Sequence, residues 1–540
     1  MKINILFDTQ SIGVQLFWSL YQAMKNAPEI EIVKTGFFVT NKDAFKIFLR
    51  KYPEFESEST SVLSEWDIIK DAKSLDKLDM KFLGEWEKRI ADPTLWNAII
   101  SDRRLNYPVS AQFFQNYSPA YNHEFMLKLV QVAIVRINKH FDEVEPDAIL
   151  GLNAVTLYDY LYYLIAKARG IPYLQLKLTR IRNYVSYLSE PLDISPHIGE
   201  RINNYMKNPE ELKGKGKLCQ EAVDFITEAR SDSLTYEGAI SKRKHAKGKG
   251  KSPDIGATNM VKKSVLKRLT QIIFSPHEDS HYPTPQQSFF YVRIIKLFRK
   301  KIFDRNVKKT FNSNWKSISE KYSYALYPLN TEPEVALLVY GRSYRNQIET
   351  VRNVASSLPV GWKLFVKEHP NAKGYRSQGF YKKLRAIPNV VLIAPEVSSD
   401  QLVQNSEMVF VVFGTIGLEA VLKEKPVISL CKTPYGSFPE NMVRCVDSIP
   451  NLAVEIRDLF ENYNYDEWAL VCYVAAHIES SIPLNLFTGL LGKGGRESIS
   501  MDQTLDEQYK LLARYSIKRI YEEQLLLKSN NIMENKSLPC

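Results

Sequence analysis

Residues 408–430 read MVFVVFGTIGLEAVLKEKPVISL, and their pattern indicates the fold class. Its apolar, β-branched start, Met408–Phe413, predicts a buried strand, and a helix over Ile416–Lys423 follows after a short turn that contains glycine. Pro426–Leu430 then predicts a second strand. Strand, helix and strand joined by short connections form a βαβ unit, which requires parallel strands. The stretch therefore predicts an open, parallel α/β sheet.

The same alternation extends upstream of this unit and predicts a whole doubly wound domain. Four further strands are predicted at Tyr324–Tyr327, Glu334–Tyr340, Trp362–Lys367 and Val390–Ile393. Helices are predicted between them at Tyr344–Ser357, Ser377–Arg385 and Ser399–Asn405. We therefore predict an α/β domain over 321–480, followed at 481–540 by a C-terminal tail and helix.

The first part of the chain carries a similar pattern. Strand-like stretches at Lys2–Phe7 and Ile30–Phe38 precede an amphipathic helix at Glu124–His140. A strand at Pro146–Gly151, a helix at Leu157–Ala168 and a strand at Pro172–Leu176 follow and form a second βαβ unit. These elements predict a Rossmann-like domain over 1–185. Strand patterns fade over 186–320, which we predict to be a helical insertion with a basic loop.

Composition excludes several classes of protein. The chain has 540 residues, of which 44% are hydrophobic and 25% charged, so it is neither disordered nor small enough for a single core. No apolar run reaches about 18 residues, and the first residues predict a strand rather than a signal peptide. Five cysteines without a CxxC pair argue against a disulfide framework and a zinc ribbon. We therefore expect a cytoplasmic protein of two or three domains.

The net charge of +11 is concentrated in one segment. Residues 241–270 contain ten Lys or Arg and one acid, Asp254, and six of the basic residues fall within 242–251. Such a segment is typical of a solvated loop, and it would also be attracted to an anionic membrane surface. We do not expect nucleic-acid binding, because no aromatic residue is interleaved with the basic ones in 242–251.

In an open parallel sheet, ligands bind beyond the carboxyl ends of the strands, and this rule selects three loops of the 321–480 domain. The candidate donor-binding residues in these loops are Arg342, Ser343, Glu368, His369, Pro370, Thr415, Gly417 and Glu419. An imidazole binds phosphate or transfers protons near neutral pH, so His369 is also a candidate catalytic residue. A carboxylate such as Glu419 can accept both ribose hydroxyls. The alternatives are a structural histidine and an ordinary first-turn acid.

Two motifs are set aside. The residues His277 to His281 spell HExxH, but Pro276 before them and Pro283 after them disfavour the helix that zinc binding requires. The glycine-rich run that begins at Gly492 lacks the spacing and the Ser/Thr of a P-loop. We therefore expect no metal and no cofactor besides the substrates.

Five separated elements of the second domain resemble the bacterial capsule polysaccharide biosynthesis family, which includes the Kdo transferases that build capsule linkers. These elements are Tyr327–Glu334, Gln347, Ser357–Pro359, Val366–Pro370 and Gly414–Val427. Their order and spacing match the family over about 322–430, and a weaker likeness covers 147–185. The resemblance implies a GT-B glycosyltransferase, in which two Rossmann-like domains face each other across a cleft and the second holds the nucleotide sugar.

The resemblance also implies roles for particular residues. His369 and Pro370 form the family's HP element near the donor phosphate, and the loop 414–419 completes the nucleotide pocket. The sequence departs from the family at two positions, where Asn330 and Glu332 replace the expected His and Gln. These departures bear on the donor and on activity more than on the fold.

Catalysis in such an enzyme would require a group from the first domain. Asp8, at the end of the first predicted strand, is the best-placed carboxylate, with an Asx turn or helix cap as its alternative role. Arg180 and Arg182 follow the strand region that ends near residue 178 and are candidates for binding an anionic acceptor. Their alternative is a solvated strand end.

These observations predict a glycosyltransferase of bacterial capsule or surface polysaccharide biosynthesis. It would transfer a sugar, with a Kdo-like sugar from a CMP-sugar as one candidate, from a nucleotide donor to a glycan or glycolipid acceptor. One alternative is a nucleotide-sugar epimerase, and another is a non-catalytic assembly subunit that kept the GT-B fold. The expected partners are the donor, the acceptor and an anionic membrane surface, so the location would be cytoplasmic and peripheral at the inner membrane.

Overall fold

The computed structural model of the chain describes residues 2–10, 13–90, 92–107, 113, 115, 119–190, 196–231, 234–239, 280–281 and 294–536, with side chains as far as 527. The predicted basic loop at 242–251 lies outside the described residues. The described chain contains two open α/β sheets, of which one is wholly parallel and the other mostly parallel. The predicted class, α/β with two Rossmann-like domains and helical insertions, is thereby confirmed.

The first sheet has seven strands. They are β1 Lys2–Asp8, β2 Glu31–Val39, β3 Ser61–Ser64, β4 Ala148–Gly151, β5 Tyr173–Leu178, β6 Tyr184–Leu188 and β13 Ile482–Pro483. Their spatial order is β13-β6-β5-β4-β1-β2-β3, and among the described strands the two pairs formed by β6, with β13 at the edge and with β5, are the antiparallel ones. The segment after residue 480 therefore returns to the first sheet instead of forming a separate tail.

Within the described residues, nine helices connect and cover the strands of this sheet. They are α1 Val14–Lys25, α2 Lys42–Lys51, α3 Phe55–Glu58, α4 Glu65–Ser74, α5 Met80–Arg89, α6 Trp96–Ser101, α7 Arg103–Asn106, α8 His123–Val144 and α9 Leu157–Ala168. Local sequence fixes their ends. Asn122 begins α8 by accepting the Phe125 N–H at 2.9 Å, and Gly170 follows α9 at a φ of +69°, which glycine adopts without strain.

The second sheet has six parallel strands, in the order β12-β11-β10-β7-β8-β9. The strands are β7 Tyr324–Pro328, β8 Lys363–Lys367, β9 Val390–Ile393, β10 Met408–Val411, β11 Val427–Ser429 and β12 Val443–Cys445. The helices of this part are α13 Lys296–Thr310, α14 Trp315–Lys321, α15 Gln347–Ser357, α16 Gln378–Arg385, α17 Ser399–Gln404, α18 Ile416–Leu422, α19 Leu452–Glu461 and α20 Glu467–Glu479. The βαβ unit predicted from residues 408–430 is present as β10, α18 and β11.

The strand predicted at Glu334–Tyr340 is wrong, because this segment is helical. Ala336–Tyr340 forms a single π-helical turn, and a 3₁₀ turn follows at Arg342–Tyr344. Leu337 packs in the core of the second domain, whereas Val339 packs in the core of the first. An apolar segment that is buried on several faces has no strand periodicity, and its run is too short for pattern alone to separate helix from strand.

The remaining helices cover the two sheets. They are α10 Pro196–Lys207, α11 Pro209–Gly214, α12 Gly216–Ser231 and α21 Leu505–Lys536. Helices α10 and α12 pack against α20 and share a core with strands of the second sheet, while α21 packs against α1. None of the helices in the described part of the chain combines the length and the apolar character needed to cross a membrane.

Candidate functional site

The carboxyl ends of both sheets border one cavity of about 670 Å³. The first domain contributes residues that follow β1, β4 and β5, among them Gln10, Asn153 and Arg180. The second domain contributes the ends of β7, β8 and β10 and the loops that follow them. This is where parallel α/β sheets bind ligands, so the cavity is the candidate active site.

Glu368, after β8, anchors the loop that carries His369. It is fully buried, and its carboxylate accepts the Tyr381 hydroxyl at 2.7 Å and the backbone N–H of His369 at 2.6 Å. Arg376, only 1% exposed, completes the arrangement through a buried ion pair with the same carboxylate. Glu368 borders the cavity, and because protein donors engage both of its oxygens, the carboxylate also holds the loop in position.

His369 borders the cavity and is half-buried. Its Nδ1 accepts the backbone N–H of Asn371 at 3.1 Å, so the neutral ring carries its proton on Nε2. Burial lowers the pKa of His369, and the nearby carboxylate of Glu368 opposes that shift. The ring can therefore donate a hydrogen bond from Nε2 to an anionic oxygen. Pro370 also borders the cavity.

The loop after β10 brings Thr415 and Glu419 to the same cavity, where both are half-buried. Gly414 also borders it, and a Cβ at this position would meet nothing within 4 Å, so the backbone is open to a ligand. Gly417 has another role. A Cβ there would lie 2.5 Å from Cζ of Tyr435, so this glycine makes room for a buried ring and does not line the cavity.

Asn330 and Glu332, the two residues that differ from the family pattern, hold the loops of the site together through hydrogen bonds. The Asn330 side chain donates to the Phe413 carbonyl at 2.6 Å, which joins the loop after β7 to the loop after β10. Its backbone N–H donates to Oε1 of Gln347 at 2.7 Å, and Gln347 in turn donates to Glu332. Glu332 lies 3.8 Å from Arg376, so both substituted positions belong to the network that holds the strand-end loops.

Arg342 and Ser343 do not border the cavity. The Arg342 guanidinium donates to the Tyr160 hydroxyl, lies over that ring at 4.9 Å and approaches Asp92 at 3.6 Å. Tyr160 and Asp92 belong to the first domain, so Arg342 ties the two domains together, whereas Ser343 is exposed. Their donor-binding prediction rested on a strand that is absent.

Asp8 lies below the cavity instead of lining it. It is fully buried, accepts the Tyr173 hydroxyl at 2.5 Å and lies close enough to Asp159, another fully buried carboxyl, for each to affect the pKa of the other. Burial raises the pKa of Asp8 to about 6 and raises that of Asp159 well above its usual value. Gln10, two residues further on, is the side chain that borders the cavity. Asp8 can act on a ligand only through an intervening group.

Arg180 and Arg182, the two residues predicted to bind the acceptor, lie in different environments. Arg180 borders the cavity, with its guanidinium 4.8 Å from the centroid of the Tyr236 ring. Arg182 does not border it and instead forms ion pairs with Glu221 at 3.7 Å and Glu228 at 3.1 Å. Both arginines have positive φ angles, +71° and +42°, and occupy the turn between β5 and β6.

Four basic residues that line the described part of the cavity were not predicted: Lys177, Lys367, His477 and Lys493. Lys367 directly precedes Glu368 at the end of β8, so the strand-end rule would have found it. Burial lowers its pKa, and the carboxylates of Glu368, Glu396 and Glu419 oppose that shift. His477 donates from Nδ1 to the Tyr473 carbonyl at 2.8 Å, which leaves Nε2 as an acceptor, and burial lowers its pKa to about 4.

Of the HExxH motif, Ser280 and His281 belong to the described residues. His277 lies outside the described residues, and His281 is buried with its two ring nitrogens against the hydroxyls of Tyr121 and Tyr158, at 3.1 and 3.0 Å. Among the described residues, no group of three His, Cys, Asp or Glu is arranged to hold a metal ion.

A family model described as "Capsule polysaccharide biosynthesis protein" matches residues 239–438. The resemblance expected from the strand-end loops is thereby confirmed over this part of the chain, which carries β7 to β11. No curated protein matches the sequence.

Solved structures show distant similarity. UDP-GlcNAc 2-epimerase from Neisseria meningitidis, bound to UDP-GlcNAc, is 14% identical, with 88% of this chain and 97% of that chain covered and a TM-score of 0.25. The β-Kdo 2,4 transferase of KpsC from Thermosulfurimonas dismutans is 12% identical, with 64% and 88% covered and a TM-score of 0.31. The corresponding β-Kdo 2,7 transferase is 10% identical, with 63% and 80% covered and a TM-score of 0.30. Because these scores are low, the fold rests on the strand order of this chain.

Proposed function

We propose that this protein, whose residues 239–438 match the capsule polysaccharide biosynthesis family, is a glycosyltransferase that uses a nucleotide-activated sugar. The observation that carries the proposal is the cavity between the two sheets, with His369, Thr415 and Glu419 on its second-domain side. These side chains offer a ring N–H, a hydroxyl and a carboxylate, which match the phosphate and ribose groups of a nucleotide.

Each group has a distinct task in the proposed donor complex. The Nε2–H of His369 donates to a phosphate oxygen, because Nδ1 is occupied by the Asn371 N–H. Glu419 accepts ribose hydroxyls, and the open backbone at Gly414 allows the nucleotide to approach closely. Stabilising negative charge on the departing phosphate is the main contribution that such a site makes to sugar transfer.

The proposed reaction belongs to capsule or surface polysaccharide synthesis, with a glycan or glycolipid as acceptor and a Kdo-like sugar from a CMP-sugar as one donor. A cytoplasmic position at the inner leaflet follows from such an acceptor. Helix α13 supports it, because Leu297 and Phe298 are 54% and 65% exposed beside several Lys and Arg residues. Exposed apolar side chains among basic ones favour an anionic bilayer surface.

The test begins with a screen of CMP-, UDP- and GDP-sugars for thermal stabilisation of the full chain, since a ligand that binds only the folded state raises its melting temperature. His369→Ala is expected to weaken binding of the selected nucleotide sugar about tenfold, or ~1.4 kcal/mol. His123→Ala is the matched control, because His123 is exposed at the start of α8. Equal affinities of both variants and the wild type would remove His369 from the donor site.

Product analysis then separates the possible activities. A transferase releases free nucleotide only when acceptor is present, whereas an epimerase converts the nucleotide sugar without releasing it. A non-catalytic subunit would be stabilised by a nucleotide sugar and turn over none. Release that depends on acceptor supports the proposal, and either of the other results contradicts it.

A further inference from the structure

The wall of the cavity that faces His369 carries an excess of positive charge. It is formed by the first domain and by the segment that returns to it after β13, and its basic residues are Lys177, Arg180 and Lys493. Among the described residues that line this side of the cavity, none is Asp or Glu. The lining acids, Glu334, Glu368 and Glu419, belong to the second domain, and Glu334 interacts electrostatically with Arg103 and Arg496 of the facing side. The two walls therefore differ in charge as well as in fold.

Each of the three cations is held beside an aromatic ring. The Lys177 Nζ donates to the Tyr340 hydroxyl at 3.1 Å, and the Arg180 guanidinium lies 4.8 Å from the Tyr236 ring centroid. The Lys493 Nζ lies 4.5 Å from the centroid of the Phe487 ring. Such contacts restrict these flexible side chains and hold their positive charges at the cavity wall.

The segment that carries Lys493 is built into the first domain. Glu237, which is fully buried, accepts through Oε1 the backbone N–H groups of Phe487 and Thr488, at 3.0 and 2.7 Å, and the Thr488 hydroxyl at 2.9 Å. The Lys493 backbone N–H donates to the Phe487 carbonyl at 2.7 Å. Lys493 is thereby fixed opposite the strand-end loops of the second domain, although it is about 300 residues from Lys177 in sequence.

We infer that Lys177, Arg180 and Lys493 form a subsite for an anionic group, a phosphate or a sugar carboxylate, on the second substrate. This inference rests on the proposed function, because it assigns the donor nucleotide to the opposite wall. Three cations line this wall, and the Glu237 carboxylate that interacts with Lys493 is buried, with Oε1 engaged by Phe487 and Thr488, so the positive charge at the wall favours such a group over a neutral glycan. The subsite replaces the predicted pair Arg180 and Arg182 as the acceptor-binding feature.

The test titrates the full chain with glucose 1-phosphate, glucuronate and glucose by isothermal calorimetry, with the nucleotide selected in the stabilisation screen present at saturation. We expect the two charged sugars to bind and neutral glucose to bind at least about tenfold more weakly, with an affinity that falls as salt rises. Tighter binding of glucose 1-phosphate identifies a phosphate ligand, and tighter binding of glucuronate a carboxylate. Equal binding of glucose, or no binding of either anion, overturns the inference.

Substitutions of the three cations test whether these residues bind the charged sugars. The triple replacement Lys177→Met, Arg180→Met and Lys493→Met should weaken binding of the charged sugars about tenfold or more, and each single replacement should weaken it less. Arg182→Met is the matched control, because this neighbouring arginine does not border the cavity, and its binding should stay within about twofold of the wild type. An equal loss in Arg182→Met contradicts the assignment.

Nucleotide titrations of the same variants separate this inference from the proposed function. The triple variant should keep the wild-type nucleotide affinity, and His369→Ala should keep the wild-type affinity for the charged sugars. If the triple variant loses nucleotide affinity instead, the basic wall binds the donor and the subsite is wrongly assigned. If the triple variant does not fold, the three single variants and the salt dependence of wild-type binding decide whether the subsite is correctly assigned.

Discussion

Replacing Glu368 with Gln distinguishes a residue that holds the site from one that contacts the ligand. In the folded protein this carboxylate lies in a fully buried ion pair with Arg376 and also accepts the Tyr381 hydroxyl and the His369 N–H. Glu368→Gln keeps the size of the side chain but removes its charge. One oxygen becomes an amide that donates, so at least one of these donors loses its acceptor.

The expected cost follows from this burial. Arg376 keeps its bond to the Asn330 carbonyl and a carboxylate at 3.8 Å on Glu332, but it loses its closest counter-charge. Breaking a buried ion pair by removing one partner costs about 3 to 5 kcal/mol, and because Glu332 remains nearby we expect about 3 kcal/mol. The loops after β7 and β8 should loosen together, since Arg376 bonds to both.

The measurement is urea unfolding combined with amide hydrogen exchange over the peptides from Lys363 to Tyr381. Glu368→Gln should lower the unfolding midpoint and speed exchange in this region, and nucleotide binding should weaken as a consequence. The control is Glu349→Gln, because Glu349 forms an exposed ion pair with Arg352 that is worth about 0.5 kcal/mol or less. Wild-type unfolding and exchange in Glu368→Gln, together with a loss of nucleotide affinity, would refute this reasoning and restore Glu368 as a ligand contact.

Three further predictions concern the donor pocket, the buried carboxyls and the basic segment. Glu419→Gln should weaken nucleotide binding by about 1.5 kcal/mol or more, because it replaces a charged acceptor; unchanged affinity in calorimetry would make Glu419 an ordinary helix residue. Burial raises the pKa of Asp8 from 3.8 to about 6, so between these values the folded protein keeps a proton that the unfolded chain releases. Stability should fall as pH rises through this window, and urea unfolding of Asp8→Asn from about pH 4 to pH 7 should show a shallower fall; an identical profile would contradict the raised pKa. Replacing the six Lys and Arg of 242–251 with Ser should release the protein from anionic vesicles in co-sedimentation, by about 1 kcal/mol for each residue near the surface, while turnover on a soluble acceptor persists. Undiminished vesicle binding would exclude a membrane role for that segment.

Local sequence predicted most elements of the fold because their ends are marked locally. The helix Leu157–Ala168 and the strand Val390–Ile393 occur with the predicted bounds, since a capping threonine, a left-handed glycine and a β-branched run each act within a few residues. The strand prediction for Glu334–Tyr340 failed because two domains bury this segment from different sides. That burial depends on how the domains pack, which periodicity within one segment does not record.

The residues of the candidate site likewise fall into those that local sequence predicts and those that it does not. His369, Thr415 and Glu419 were predicted because the carboxyl end of a parallel strand is readable from an apolar run and the loop after it. His477 and Lys493 reach the cavity only because α20 packs against α10 and α12 and β13 pairs with β6. Those contacts join residues far apart in sequence, so no local pattern marks them. The loops were predictable, whereas the wall opposite them was not.

The segment from Ala336 to Arg342 connects the two domains. Leu337 belongs to the core of one domain, Val339 to the core of the other, and the Arg342 guanidinium bonds to the first domain. The segment therefore fixes the distance between the loop of His369 and the basic wall. Tyr340, at the end of the π-turn, accepts the Lys177 ammonium from that wall. A motion that opens the cavity has to repack apolar side chains and break this contact together, because close-packed interiors shift between discrete arrangements rather than stretch. Any opening and closing of the cleft is thus coupled directly to the position of one of the three cations.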